Sequence, residues 1–520
     1  VTQRLLPDAY LFWSAASTSH SSIPFMPKPF SGLPSFLFVL KRMLTLVLLI
    51  TSIGCSSEVS LNGGGQRFAS QADSGARYVF LFIGDGMGLA QVELGRALLA
   101  PGDSLSFLSF PVTGMISTSA ADRYITDSAA AGTALATGYA TSVGTVSMAA
   151  NHRDTLKTIV EMAEGDGRRT GVVSSVGIDN ATPACFYAHE PLRGSLYAIA
   201  LQMAASGVDY FGGGRPEGNF PHKRSRAVVD RGDIDSLMQL SGYSVVKNSA
   251  SLKAVMPGTP CIASAPSDMF GALPFDMDRP ARDADLALFT REGIRLLDNP
   301  KGFFMMVEGG KIDWACHAND AAAAGRDVAA FDRAIREAVA FYHRHPEETL
   351  IVVTADHECG GLSLGNRDGA YDSRLELLHY QTISMENLSG KVAAWKKAGG
   401  VSFLAALDSV RVFAGLGAGA DSELLLSRDE ERELRDAFRA TMSAGAARGG
   451  QYGAADSFSP AVVGILNRRA GVGWTSNVHT AVPVPVFALG HNAHMFAGFY
   501  PNTALARRLM QASGLPGSLR

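Results

Sequence analysis

Residues 78–86 read Tyr-Val-Phe-Leu-Phe-Ile-Gly-Asp-Gly, six apolar residues running unbroken into a carboxylate held between two glycines. A continuous apolar run of that length suits a strand covered on both faces, as in a parallel sheet packed between helices. Four further runs share this character: 171–174 (GVVS), 302–307 (GFFMMV), 350–354 (LIVVT) and 484–489 (VPVFAL). Segments of helical period lie between them. Leu156, Ile159, Val160 and Ala163 form one stripe ending at Gly165, and Leu286, Phe289, Ile294 and Leu297 form another. Strand and helix in alternation predict an α/β fold with a large, mainly parallel central sheet covered by helices.

The ends of these runs carry the chemistry. Run 78–83 leads into Asp85, run 302–307 into Glu308, and run 350–354 into Asp356 and His357. Ligands of doubly wound sheets bind outside the carboxyl ends of the strands. Acids delivered to one edge by three strands repel one another unless cations sit among them. A lone strand-end Asp is more often a turn residue; three of them with a histidine reverse that reading. Asp313 and His317 stand four apart, on one face if 312–318 is helical, and together can grip a metal. Histidine with carboxylate suits Zn²⁺, and an oxygen-only site with a threonine hydroxyl suits Mg²⁺. The candidate nucleophile is Ser128 in Thr126-Asp127-Ser128-Ala129-Ala130-Ala131-Gly132-Thr133. A serine opening a helix directs amide donors at an anion. Ser128 lies in no GxSxG elbow and no Walker A loop, so this hydroxyl needs a metal to activate it.

Composition sets the frame for this chemistry. The 520 residues carry a net charge of -3, with 47% hydrophobic and 18% charged residues, as in ordinary globular proteins. Nothing in that balance suggests nucleic acid as an obligate partner. Residues 1–54 read as a leader: Lys41-Arg42 precede the short apolar run 43–53, an export signal too short to span a bilayer. Ile53-Gly54-Cys55 resembles the end of a bacterial lipobox, which makes Cys55 a candidate lipid anchor, although Ser52 stands where a leucine is usual. Residues 55–76 read as a flexible tether. The expected localisation is therefore export, as a periplasmic or outer-membrane lipoprotein. Residues 77–366 hold the first part of the core and 471–520 the last. The intervening 367–470 interrupts the strand pattern and reads as an insertion before the last core strand. Within it, Ser427 and Glu430 make a capping box, followed by Leu434, Phe438 and Met442 on one helix face. Cys185, Cys261, Cys316 and Cys359 show no close pairing and give no disulfide framework. Gly212–Gly214 reads as a tight turn, and His491 and His494 as structural.

From about Tyr78 to Gly498 the chain closely resembles the alkaline phosphatase family. The matching motifs, in family order, are residues 83–88 (IGDGMG), 126–129 (TDSA), 180–184 (NATPA), 307–309 (VEG) with Ile312-Asp313 and His317, 354–357 (TADH), and 478–480 (VHT). The resemblance implies a three-layer α/β sandwich and hydrolysis of small phosphate monoesters through a phosphoserine on Ser128. It implies two zinc ions and one magnesium ion. Asp85, Asp356 and His357 would hold the zinc beside Ser128, while Asp313, His317 and His479 would hold the second. Asp85, Thr182 and Glu308 would hold the magnesium. Arg193 would clamp two phosphoryl oxygens, with Asp127 orienting it. A homodimer is expected on the same ground. Two positions depart from the pattern. Asn180 stands where relatives often carry Asp or His near the third metal, and Trp314 where they often carry Lys or His. A phosphodiesterase of the same superfamily would commonly use Thr as nucleophile and lack the arginine. A sulfatase would need Pro and Arg after the nucleophile. An inactive metal-binding lipoprotein would have lost a ligand or the serine.

Overall fold

The computed structural model describes residues 75–516, apart from 221–228, 266–269, 282, 368, 370, 418–422 and 444–455. The leader, Cys55 and nearly all of the tether lie outside the described residues.

Fourteen strands are described: β1 (Tyr78–Ile83), β2 (Val112–Ser117), β3 (Arg169–Gly177), β4 (Tyr210–Gly214), β5 (Ser244–Val246), β6 (Cys261–Ser264), β7 (Phe303–Glu308), β8 (Thr349–Thr354), β9 (Glu358–Cys359), β10 (Leu362–Ser363), β11 (Gly473–Trp474), β12 (His479–Thr480), β13 (Val484–Gly490) and β14 (Gly498–Pro501). Ten of them form one sheet in the order β14-β2-β13-β8-β1-β7-β3-β4-β6-β5. Every pairing in it is parallel except those of β13, which runs antiparallel to both β8 and β2. The fold class is as expected: a large, mainly parallel sheet with helices on its faces.

β1 shows why the opening run decides the architecture. All six of its residues are buried. Tyr78 and Phe80 meet the Phe341 ring edge-on and Phe82 meets Phe331, so alternate side chains pack on the helix Ala321–Tyr342. The pleat turns Val79, Leu81 and Ile83 to the opposite layer. Helix Ala321–Tyr342 packs in turn against the helices Leu89–Ala97 and Leu286–Leu297. Local signals agree with these boundaries. Asp285 and Asp320 cap their helices through the amides of Leu288 (2.9 Å) and Ala323 (3.1 Å). Thr158 and Glu161 close a reciprocal capping box on helix Ile159–Gly165.

One sequence expectation fails in this sheet. Gly212–Gly214 is strand β4 and not a turn. Gly213 has φ +115°, and a Cβ there would meet the Ser174 carbonyl at 1.9 Å, where the β3–β4 register shifts. The glycines let two central strands close across an irregularity. Between β10 and β11 the chain adds no strand to the sheet among the described residues and forms helices instead. The Ser427–Glu430 capping box is present there, at 2.8 and 3.2 Å, ahead of helix Arg428–Ser443.

Candidate active site

The sheet delivers its functional side chains by register. Ile83 of β1 pairs with Glu308 of β7 on one side and with Thr354 of β8 on the other, so Asp85, Glu308, Asp356 and His357 leave the same edge. β3 ends in a turn to Asn180 and the short helix Ala181–Ala184, which carries Thr182. β7 is followed by helix Lys311–His317, which presents Asp313 and His317 one turn apart, 3.3 Å from each other. The reversed β13 brings the last group. Because β13 is antiparallel to β8, the chain enters it from the carboxyl edge. On the way it forms the two-residue ladder β12–β9, pairing His479 with Cys359. That ladder stacks the His479 ring on His357, with centroids 3.5 Å apart.

Two clusters result, one of Asp85, Asp356 and His357, the other of Asp313, His317 and His479 with Cys359 close by. In the first, His357 Nε2 faces Asp356 at 3.2 Å, Asp85 at 3.4 Å and Ser128 Oγ at 3.3 Å. One ring nitrogen cannot serve three oxygens, whereas a cation among them can. In the second, His317 Nδ1 lies 2.7 Å from the Asn477 carbonyl and His479 Nδ1 lies 3.0 Å from the Thr126 carbonyl. A carbonyl only accepts, so each Nδ1 carries a proton, and each ring in its neutral form offers a lone pair at Nε2. The two Nε2 atoms face each other at 3.1 Å, an arrangement in which two neutral rings can both turn lone pairs to one cation. Asp85 Oδ1, Thr182 Oγ1, Glu308 Oε1, Asp313 Oδ1 and Asp356 Oδ2 are all buried and have no hydrogen-bond partner among the described residues. Buried polar atoms are normally satisfied, and these fit metal ligation in both donor type and placement.

The electrostatics differ between the clusters. Burial, reinforced by Asp356, Asp313 and Glu308, raises the pKa of Asp85 well above the carboxylate range. Burial likewise lifts Glu308 to about 7 and Asp356 to about 6, each with a neighbouring acid adding to the effect. Burial opposes ionisation of Asp313 too, but His317, His479 and His357 outweigh it and lower its pKa. Burial depresses His357 and His479 to about 4, which keeps both rings neutral and able to ligate.

Asp127 caps the helix Ser128–Thr137, accepting from the amides of Ala130 at 3.0 Å and Gly144 at 3.1 Å. Its other oxygen accepts from Arg193 Nη1 at 3.0 Å. Burial works against its charge, yet Arg193 and the two amides prevail and lower its pKa. One carboxylate thus fixes both the start of the serine's helix and the arginine. Asn180 Oδ1 accepts from the Ala181 amide at 2.7 Å and from Arg193 Nη2 at 3.5 Å. Its carbonyl therefore serves the arginine. Trp314 is buried against Phe270 and the Lys311 ammonium. Ser128, Arg193, His317 and His479 line a common cleft of about 610 Å³.

Sequence reasoning missed the groups that hold this arrangement. Buried Glu358 accepts from Gln91 Nε2 at 2.7 Å and from the Thr480 hydroxyl, clamping β9 to β12 and so fixing His479 beside His357. The Ser174 hydroxyl donates to Glu308. Gly86, at φ +70°, leaves room that a Cβ would take from Asp313 Oδ1 and Cys359 Cβ, both 2.9 Å away. Burial holds the Cys359 thiol strongly protonated, and it points to the Asp313 carbonyl oxygen. The four described cysteines are free and buried. His491 and His494 belong to neither cluster.

The family model described as "Alkaline phosphatase" matches residues 76–515. The chain is 31% identical to Alkaline phosphatase 4 of Bacillus subtilis (strain 168), over 82% of this chain and 86% of that protein. It is 30% identical to Streptomycin-6-phosphate phosphatase of Streptomyces griseus, over 60% of this chain and 78% of that protein. The solved structure of a cold-active alkaline phosphatase from a psychrophilic Shewanella sp. superposes with a TM-score of 0.69 at 30% identity, covering 85% of this chain and 100% of that one. The alkaline phosphatase of Thermus thermophilus shares the fold, with a TM-score of 0.69 at 24% identity over 88% of this chain and 97% of that one. The chain belongs to the alkaline phosphatase family. It is a phosphomonoester hydrolase of a metal-dependent family, and its two side-chain clusters are candidate metal sites.

Proposed function

We propose that this enzyme hydrolyses phosphate monoesters through a phosphoserine on Ser128, with two zinc ions and one magnesium ion bound. Asp85, Asp356 and His357 would hold one zinc, and Asp313, His317 and His479 the other; Asp85, Thr182 and Glu308 would hold the magnesium. When bound, the cations supply positive charge that favours the deprotonated serine and offsets charge on the entering and leaving oxygens. The observation that carries the reading is the position of Ser128 Oγ, 3.3 Å from His357 Nε2, at a helix start that shares a cleft with Arg193.

The chain's own groups account for the remaining steps. Arg193, steadied by Asp127 and Asn180, binds two equatorial oxygens of the phosphoryl group and turns its phosphorus toward Ser128. The amides at the start of helix Ser128–Thr137 add donors and a favourable dipole. Ser128 attacks in line, its oxygen bonds to phosphorus as the bond from phosphorus to the ester oxygen breaks, and the proton lost by the serine hydroxyl is balanced by the one that the departing alkoxide takes up from solvent. Water then attacks the phosphoserine from the vacated side, releasing inorganic phosphate and regenerating the hydroxyl.

Two supports favour monoesters over diesters: a serine nucleophile and an arginine placed for a dianion's free oxygens. The leader, candidate lipid anchor at Cys55 and homodimer belong to the same proposal, resting on the sequence and on family resemblance, as does the division of the core by an insertion over 367–470. Chelation followed by zinc and magnesium refilling is the test, with monoesterase and diesterase rates and metal content measured on one preparation. Loss and recovery of monoesterase activity in step with metal content is expected. Full activity after verified metal removal, or a preference for diesters, would sink the reading.

A further inference from the structure

The cleft that holds Ser128 and Arg193 has an unusual outer wall. Ile125, Val143, Leu196 and Val478 line it together with the catalytic groups. Ile125 keeps 45% and Val478 56% of its surface exposed, and Tyr124, next to Ile125, and Leu192, next to Arg193, stand exposed as well. Arg123 pairs with Asp122 at 3.0 Å, the Thr126 hydroxyl donates to the Asp127 carbonyl at 3.0 Å, and Asn180 Oδ1 serves Ala181 and Arg193. Apolar side chains lining the same cleft as a polar catalytic centre mark a binding surface.

We infer that this wall is a leaving-group subsite, and that the enzyme prefers phosphate monoesters of hydrophobic alcohols over those of sugars or glycerol. The inference rests on the reading of Ser128 and Arg193 given above. Once Arg193 holds the phosphoryl oxygens and Ser128 lies behind the phosphorus, the ester substituent must leave by the open side of the same cleft. There it meets Ile125, Leu196, Val143 and Val478. An alkyl or aryl group buries apolar surface on both partners, whereas a polyol must give up water against these four apolar side chains.

The contact should act on kcat/KM and not on kcat when release of phosphate from Ser128 limits turnover, because the alcohol has already gone by then. A fully buried methylene would be worth about fourfold, and one covered on a single side about twofold.

The experiment compares kcat/KM of the metal-loaded enzyme for ethyl, butyl, hexyl and glycerol phosphates, alongside inhibition by ethyl- and hexylphosphonate. A rise of about twofold per methylene, matched in the phosphonate series and with glycerol phosphate at the low end, is expected. Ile125→Ser and Val478→Ser, tested singly with metal content and melting temperature checked, should each flatten the slope. The phosphonate series on the unaltered enzyme keeps the test intact if either variant folds badly. Equal kcat/KM along the series, or a slope that survives both substitutions, would overturn the inference while leaving the phosphatase reading in place. Conversion of a dimer to a monomer by Ile125→Ser, with chain-length preference untouched, would assign the wall to contact between copies and overturn it as well. Hydrolysis of none of the esters would bring down the phosphatase reading together with the subsite.

Discussion

The two side-chain clusters lie side by side yet are built in opposite ways. His357 of the first has 0% of its side chain exposed and sits at a strand end; His317 and His479 of the second keep 10% and 12% and line the cleft. In the first cluster the acids raise one another's pKa, so it lacks positive charge. In the second, His317 lowers the pKa of Asp313 and has its own raised in return, so this pair already balances the site in part. The difference teaches that sheet geometry alone fixes the inner donors, whereas the outer donors depend on a seven-residue helix and a two-residue ladder. An inner site so arranged should hold its cation firmly and steady Ser128; an outer site should exchange its cation more readily.

That contrast can be broken by substitution. His357→Ala should cause the largest loss among the ligand variants, about a thousandfold or more in kcat/KM, and excess zinc should not restore it. His479→Ala should cost about a hundredfold and recover in part as zinc is raised, because Asp313 and His317 remain. Steady-state rates titrated with zinc check both, and equal rescue of the two would erase the distinction. Arg193→Ala should follow, costing monoesters about a hundredfold in kcat/KM through two lost charge-assisted bonds, and diesters less. Paired rate measurements test it, and equal losses would remove Arg193 from the phosphoryl group.

Chelation should sharpen the contrast in stability. Stripping both clusters leaves the inner carboxylates buried beside one another, so the melting temperature should fall by several degrees and activity should vanish before it does. Scanning calorimetry during graded chelation gives both readings. The smallest effect belongs to Asn180→Ala, which frees one side of Arg193 while Asp127 still holds it. Phosphate inhibition should weaken by about threefold, with the magnesium response little changed. A shift confined to magnesium would mean that Asn180 acts on that site instead.

Much of this was legible in the sequence, and the reasons are local. The run 78–83 becomes β1 at the stated bounds because its apolar length is its structural role. Ser427 and Glu430 form their capping box by chemistry that spans three residues. The acids at the ends of β1, β7 and β8 could be placed together because parallel strands share one carboxyl edge. Other features depend on distant partners. Nothing in 484–489 announces that β13 runs backwards, and that reversal is what carries His479 to the site. Gly212–Gly214 resembles a turn until Ser174 is seen to crowd it. Glu358, next to His357, has a role that its neighbours in sequence do not reveal, because it depends on Gln91 and Thr480, both far from it along the chain. Asn180, expected at the third metal, turns its carbonyl to Arg193, a contact that spacing alone does not reveal.

The central claim is that Ser128 carries the phosphoryl group during turnover. The direct measurement is an acid quench of the metal-loaded enzyme reacting with a labelled phosphate monoester, followed by peptide mapping. The label is expected on Ser128, and Ser128→Ala should leave no labelled protein while retaining bound metal. Label on any other residue, or undiminished turnover by Ser128→Ala, would contradict the account.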